Sequence, residues 1–330
     1  MPPAREHEDT SHVRVRRGLL DGASVRYDTE YQMTRVIRFF LLGVVLAAGL
    51  ASCGAPAGGS PSGTLQVIAG ENFWGSLAAQ LGGTRVSVTS IVTNPNTDPH
   101  EYESSAVDAR AFATADFVIL NGAGYDDWGQ KLLSANPSQS RKVFTVADLL
   151  NKKAGDNPHF WYNPDWVEQV ANRITADYQA LDAADAAYFS QQRETLRTAV
   201  QPYHDAIDHV RSRLGGVPIG STESIFVYMA QALGLTLISP TEFMQAISEG
   251  NDPPAQTVAE FQDQISNRRI KVLIYNTQTS TPITENLKQL AGKNGIPVVG
   301  VSETVEPATA SFQDWQLRQL SALQVALSRQ

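Results

Sequence analysis

"DWVEQVANRITADYQALDAADAAYFSQQRETLRTAVQPYHDAIDHVRSRL", Asp165 to Leu214, carries no strand signal along its whole length. Its apolar residues keep helical spacing almost throughout. "LDAAD" marks a break, with Asp182 as the cap of a second helix. The spacing predicts that this second helix runs over 182–214. At about 1.5 Å per residue, about 30 residues reach roughly 45 Å, the full height of a two-lobed protein. Pro202 falls inside it and is expected to kink it or mark a local irregularity.

On either side of this helical stretch the pattern changes to alternation. Before it come the apolar strands Leu65–Ala69, Val86–Val92 and Phe117–Gly122, separated by helical segments. After it come Val217–Ser221, Lys271–Asn276 and Ile296–Val301, again with helices between them. Alternating strands and helices imply parallel sheets with helical crossovers. The expectation is therefore an α/β protein of two lobes, 65–181 and 215–330. Each lobe has a mostly parallel sheet flanked by helices, and the single long helix 182–214 joins them.

The chain has 330 residues, 42% hydrophobic and 18% charged, an ordinary globular composition. A net charge of −8 gives a nucleic-acid partner no electrostatic footprint. The N-terminal "MTRVIRFFLLGVVLAAGLASCG", Met33 to Gly54, has Arg35 and Arg38 before an apolar run of about a dozen residues, the length of a signal-peptide core. It ends in small residues before Cys53, the single cysteine, so no intramolecular disulfide is possible. This pattern is that of a bacterial lipoprotein signal, with Cys53 lipidated and anchoring the protein to a membrane on the extracytoplasmic side. Residues 1–32 lie upstream of this signal, and Met33 is the expected start. Residues 53–64 read as a Gly/Pro/Ser tether.

Of six histidines, His7 and His12 precede the signal, and His204 and His209 stand five apart on the long helix and read as surface residues. His100 and His159 remain. His100, in "TNPNTDPHEYE", follows the second strand, at the sheet end where open α/β folds place ligands. His159, in "DNPHFWYNP", lies between the first lobe and the helical stretch. Each follows a proline that stiffens its loop: Pro99 and Pro158. Either histidine alone reads as a packed structural residue rather than a ligand; the matched settings of the two reverse that reading and point to a shared site. The second lobe supplies carboxylates after strands: Glu223 in "GSTESIF" and Glu303 in "GVSETVEP". Glu223 also suits a helix N-terminus, and Glu303 a solvated loop. Both can project into the same cleft as the histidines, and two imidazoles and two carboxylates form a set suited to Mn²⁺, Fe²⁺ or Zn²⁺.

The lipoprotein signal, "DPHEYE", "NPHFWYNP", "STESIFVYMA" and the late carboxylate together resemble the cluster A-I substrate-binding proteins of ABC transporters, the zinc- and manganese-uptake family. The resemblance runs from about Leu65 to the C-terminus. It implies two lobes bridged by one rigid long helix, and an ion (Zn²⁺ or Mn²⁺) carried as cargo to an ABC permease and its ATPase. The implied ligands are His100, His159, Glu223 and Glu303, with Glu306 the nearest competitor of Glu303. The implied protein is a monomer and not an enzyme. Asn157 stands where the family usually has Asp, and the exchange is expected to have no more than a small effect on its loop. Phe160, Trp161 and Tyr162 are expected to shield the site from water. The third ligand is Glu rather than His, and no histidine cluster occurs. A secreted metal-dependent hydrolase using the same residues is the competing expectation, although no HExxH motif or nucleophile elbow is present.

Overall fold

The computed structural model describes residues 63–96 and 99–328. Residues 1–62, which carry the signal-like segment, Cys53 and nearly all of the tether, lie outside the described residues, as do Thr97 and Asp98.

The first lobe runs β1 (Leu65–Glu71), α1 (Asn72–Gly82), β2 (Val86–Val92), α2 (Ala106–Thr114), β3 (Phe117–Leu120), α3 (Asp127–Ala135), β4 (Lys142–Thr145) and α4 (Val146–Leu149). Its four strands are all parallel, in the order β2-β1-β3-β4. Buried on both faces, β1 and β3 read as continuous apolar runs rather than alternating ones. Local chemistry sets the helix starts. Ser105 caps α2 through a reciprocal box with Asp108, whose carboxylate accepts from the Ser105 N–H at 2.6 Å.

Three helices follow: α5 (Pro164–Leu181), α6 (Ala186–Ala199) and α7 (Gln201–Leu214). Asn163 caps α5, and Pro164 takes its first position, where a missing N–H costs nothing. The single helix expected over 182–214 is instead two helices of 14 residues each, interrupted at Val200. Pro202 explains this. It has no N–H to donate, and its ring clashes with the carbonyl four residues back, so the ladder breaks there. The α6 helix packs on α1 and α5, whereas α7 packs on the last helix of the second lobe. The pair thus still runs from one lobe to the other.

The second lobe is β5 (Pro218–Ser221), α8 (Val227–Ala232), β6 (Thr236–Leu237), α9 (Thr241–Ser248), α10 (Ala255–Ser266), β7 (Leu273–Asn276), α11 (Pro282–Lys293), β8 (Val298–Val301) and α12 (Phe312–Ser328). Its parallel strand order, β6-β5-β7-β8, repeats that of the first lobe. Each sheet therefore reverses its strand order at the same place, between β1 and β3 and between β5 and β7, and opens a crevice beyond the C-terminal strand ends. The sequence carries no clear signal for β6 and α9. A two-residue strand shows no period, and an eight-residue helix is too short for its stripe to stand out.

One hydrophobic core passes through both lobes. It holds Phe73, Trp74, Trp161 and Tyr162 together with Ile219, Phe226, Val301 and Trp315. The "FWY" of the second histidine motif lies in its middle. Trp161 stacks on Phe73 at 3.8 Å between centroids, and Tyr162 meets Phe226 and Trp315 at 5.9 and 6.0 Å. A ring of this size buries about 150–250 Å², about 4–6 kcal/mol at about 25 cal/mol per Å². These aromatics therefore join the lobes as well as surrounding the site. Smaller apolar clusters line the outer face of each sheet. Among the described residues, no helix is long and apolar enough to cross a membrane.

Candidate metal centre

The structure brings His100, His159 and Glu303 together at the seam between the lobes. One donor atom from each lies within 4.8 Å of the others. His100 sits in a short 3₁₀ turn, Pro99–Glu101, after β2. Its Nε2 is 3.4 Å from Glu303 Oε2. His159 is fully buried, with Nε2 at 3.8 Å from the same oxygen and 3.9 Å from Glu223 Oε1. Glu223 thus borders the trio on the His159 side. Bonds of about 2.0–2.2 Å in a tetrahedral shell set donors about 3.3–3.6 Å apart; the 3.4 Å spacing falls in that range, and the 3.8 and 3.9 Å spacings need an inward shift of a few tenths of an ångström to hold one small divalent cation. Glu306 is exposed and lines a separate hollow with Trp315 and Arg318. Of the two late carboxylates, it is Glu303 that faces the histidines.

The chemistry of the donors fits the same picture. His159 Nε2 is buried without a hydrogen-bond partner. Burial, and then the neighbouring His100, hold the His159 imidazole well below its usual pKa, so the ring stays neutral and its lone pair is available. Glu223 and Glu303 are both buried and close to each other. Two adjacent carboxylates removed from water are costly, and a divalent cation between them offsets that cost. Asn276, at the end of β7, supplies the neutral part of the arrangement. Its amide donates to Glu303 Oε1 at 2.7 Å and to Glu223 Oε1 at 3.4 Å. Glu303 is further aimed by Gln278, whose side-chain oxygen accepts from the N–H groups of Glu303 and Thr304 at 2.7 and 2.9 Å. Across the seam, the Tyr125 hydroxyl donates to Glu303 Oε2 at 2.7 Å.

A second set of contacts positions the His159 loop. Trp74 Nε1 donates to Asn121 Oδ1 at 3.0 Å, and Asn121 Nδ2 donates to the Pro158 carbonyl at 2.9 Å. Asn157 reaches beyond its own loop. Its side chain contacts both His159 and, in the other lobe, the Ser224 carbonyl. Sequence reasoning missed Tyr125, Asn121 and Asn276. The two asparagines had a signal, since each ends an apolar run at the third strand of its lobe; Tyr125 had none.

The family model described as the zinc-uptake complex component A, periplasmic, matches residues 67–326. The chain belongs to this family. Among members of the zinc-uptake component A family and their kin, it is 24% identical over 261 residues to the manganese-binding lipoprotein MntA of Bacillus subtilis (strain 168), covering 73% of this chain and 81% of that protein. It is 21% identical to the metal ABC transporter substrate-binding lipoprotein FimA of Streptococcus parasanguinis, over 81% of this chain and 88% of that one. Solved structures share the fold. A ZnuA crystal structure matches with a TM-score of 0.62 at 20% identity, over 80% of this chain and 98% of that one. The binding protein FpvC of Pseudomonas aeruginosa in complex with Mn²⁺ matches with 0.67 at 16%, over 81% and 99%. The family is made of solute-binding proteins, and the two-lobed architecture inferred from the sequence is the one these structures have.

Proposed function

We propose that this protein is the extracytoplasmic substrate-binding component of an ABC importer for a divalent transition metal, Zn²⁺ or Mn²⁺. In this reading His100, His159, Glu223 and Glu303 hold the ion. A lipid on Cys53 anchors the monomeric protein to the membrane, and the cargo passes to a permease and its ATPase. The observation that carries the reading is the trio of His100, His159 and Glu303 at the seam, the last two fully buried and the first half-buried, with donor atoms within 4.8 Å of one another. The names of the relatives, metal and manganese substrate-binding lipoproteins, support the same function. Four protein donors complete a tetrahedral shell and leave no position for an activated water, which argues against the hydrolase. A cavity of about 490 Å³ reaches His100 between Tyr125, Asn157, Ser224 and Met244, and it offers the ion a route from solvent. His100 then receives the ion first and His159 holds it deepest.

Calorimetric titration of metal-stripped protein with Zn²⁺ and Mn²⁺, in wild type and in His100→Ala and His159→Ala, tests the site. Affinity should fall steeply in both variants; unchanged affinity in both rules the site out. Elemental analysis of protein purified without added metal identifies the cargo, and mass spectrometry of the mature N-terminus tests lipidation at Cys53.

A further inference from the structure

Asn157 lies at a junction that the metal-binding reading does not use. Its Oδ1 is 3.0 Å from the His159 N–H and 2.7 Å from His159 Nδ1. Its Nδ2 is 2.8 Å from the carbonyl oxygen of Ser224, the residue after Glu223. The orientation of the amide follows from its partners. A backbone N–H can only donate and a backbone carbonyl can only accept, so the oxygen must face His159 and the NH₂ must face Ser224. An amide oxygen accepts only, so the His159 Nδ1 it faces must carry the proton. The lone pair is then left on Nε2, the atom that faces Glu303 and Glu223. The Ser224 hydroxyl stands 3.5 Å from the same Nδ1, a longer second contact. The Asn157 main chain is tied to the second lobe as well, because the Tyr228 hydroxyl donates to its carbonyl at 2.8 Å.

We infer that Asn157 is a positioning residue that couples the ligating tautomer of His159 to the closed seam between the lobes. One side chain performs both tasks, and only an amide can. An aspartate keeps the acceptor for Nδ1 but has no N–H for the Ser224 carbonyl. An alanine keeps neither. The side chain that aims the His159 lone pair into the site is therefore the one that holds the Glu223 loop against it, and release of the ion by lobe separation must break this tie. The inference rests on the metal-binding reading.

The test uses the full chain, with Zn²⁺ alone as the probe. Release is timed by stopped-flow transfer to a chelator, and the tautomer of His159 is read by ¹⁵N NMR of the metal-free, histidine-labelled protein. Asn157→Asp should release Zn²⁺ about 10- to 100-fold faster, the range for outer partners of metal ligands, while keeping the Nδ1–H signature. Asn157→Ala should release as fast and lose that signature. Tyr228→Phe removes the neighbouring tie without touching His159, so it should speed release with the tautomer unchanged and keeps the test open should an Asn157 variant not fold. Wild-type release rates in Asn157→Asp and Tyr228→Phe, with His100→Ala still abolishing binding, overturn the inference and leave the metal site standing. A wild-type protein that binds neither Zn²⁺ nor Mn²⁺ overturns the underlying reading instead.

Discussion

Two acids behind the metal centre allow a sharp test of how the seam is built. Glu71 ends β1 and Asp126 precedes α3, and both are buried. The Asp126 carboxylate accepts from the Asn121 and Gly122 N–H groups at 2.6 and 2.7 Å. Burial still outweighs these donors and raises Asp126 to about 6. Burial, and then the charge and hydrogen bond of Asp126, push Glu71 well above its usual value. The pair therefore holds a proton, on Glu71, above the pH at which an ordinary carboxyl loses it. In the unfolded chain both acids titrate near pH 4. Between about pH 4 and the raised values the folded state binds more protons than the unfolded state, so stability falls as pH rises through that window. One proton corresponds to about 1.4 kcal/mol per pH unit, and the shift of Asp126 alone amounts to about 3 kcal/mol. Glu71→Gln removes the Glu71 proton from this balance while its amide can still donate to Asp126. Urea unfolding of the metal-free protein, followed by tryptophan fluorescence, should show the stability of Glu71→Gln relative to wild type rising with pH above about pH 5, by up to about 1.4 kcal/mol per pH unit while Glu71 keeps its proton. Parallel pH curves for the two proteins refute the shared proton.

Asn121→Ala strips a partner from the buried Trp74 indole and from the Pro158 carbonyl; at about 1–3 kcal/mol for each orphaned group, urea unfolding should show a loss of about 2–6 kcal/mol. Asn121→Asp keeps the acceptor for Trp74 but sets a buried carboxylate against the Pro158 carbonyl, and should lose at least as much. Gly82→Ala puts a methyl 1.8 Å from Val86 Cγ2 and 2.8 Å from its Cβ, and denaturant titration should register about 1–3 kcal/mol of overpacking. Glu223→His exchanges an oxygen donor for a nitrogen, and competition titration should show the preference for Zn²⁺ over Mn²⁺ rising by about tenfold, the effect of about 1.4 kcal/mol.

Apart from β4 and β6, the strands of both lobes were legible because buried parallel strands are short apolar runs, and those runs are properties of neighbouring residues. His100 and His159 stood out through the prolines before them, and Glu223 and Glu303 through their places just after strands. In a parallel sheet all such places face one way, so candidate ligands could be named without knowing how the lobes meet. The proline that interrupts the long helix was visible as well, although its outcome, a break at Val200 rather than a bend, depended on how α6 and α7 each pack.

What only the tertiary structure decided is the set of contacts that no local pattern encodes. Tyr125 meets Glu303 across 178 residues of chain, Asn157 meets Ser224 across 67, and Asn276 meets Glu223 across 53. That Glu303 rather than Glu306 lies beside the histidines depended on the same kind of contact, with Gln278 and Asn276 turning it inward. The sequence alone determined which residues could reach the crevice, because period and strand polarity are written residue by residue. Which nitrogen of His159 faces the ion, and what holds the two lobes around it, depended on hydrogen bonds whose partners become neighbours only when both sheets are packed on one core.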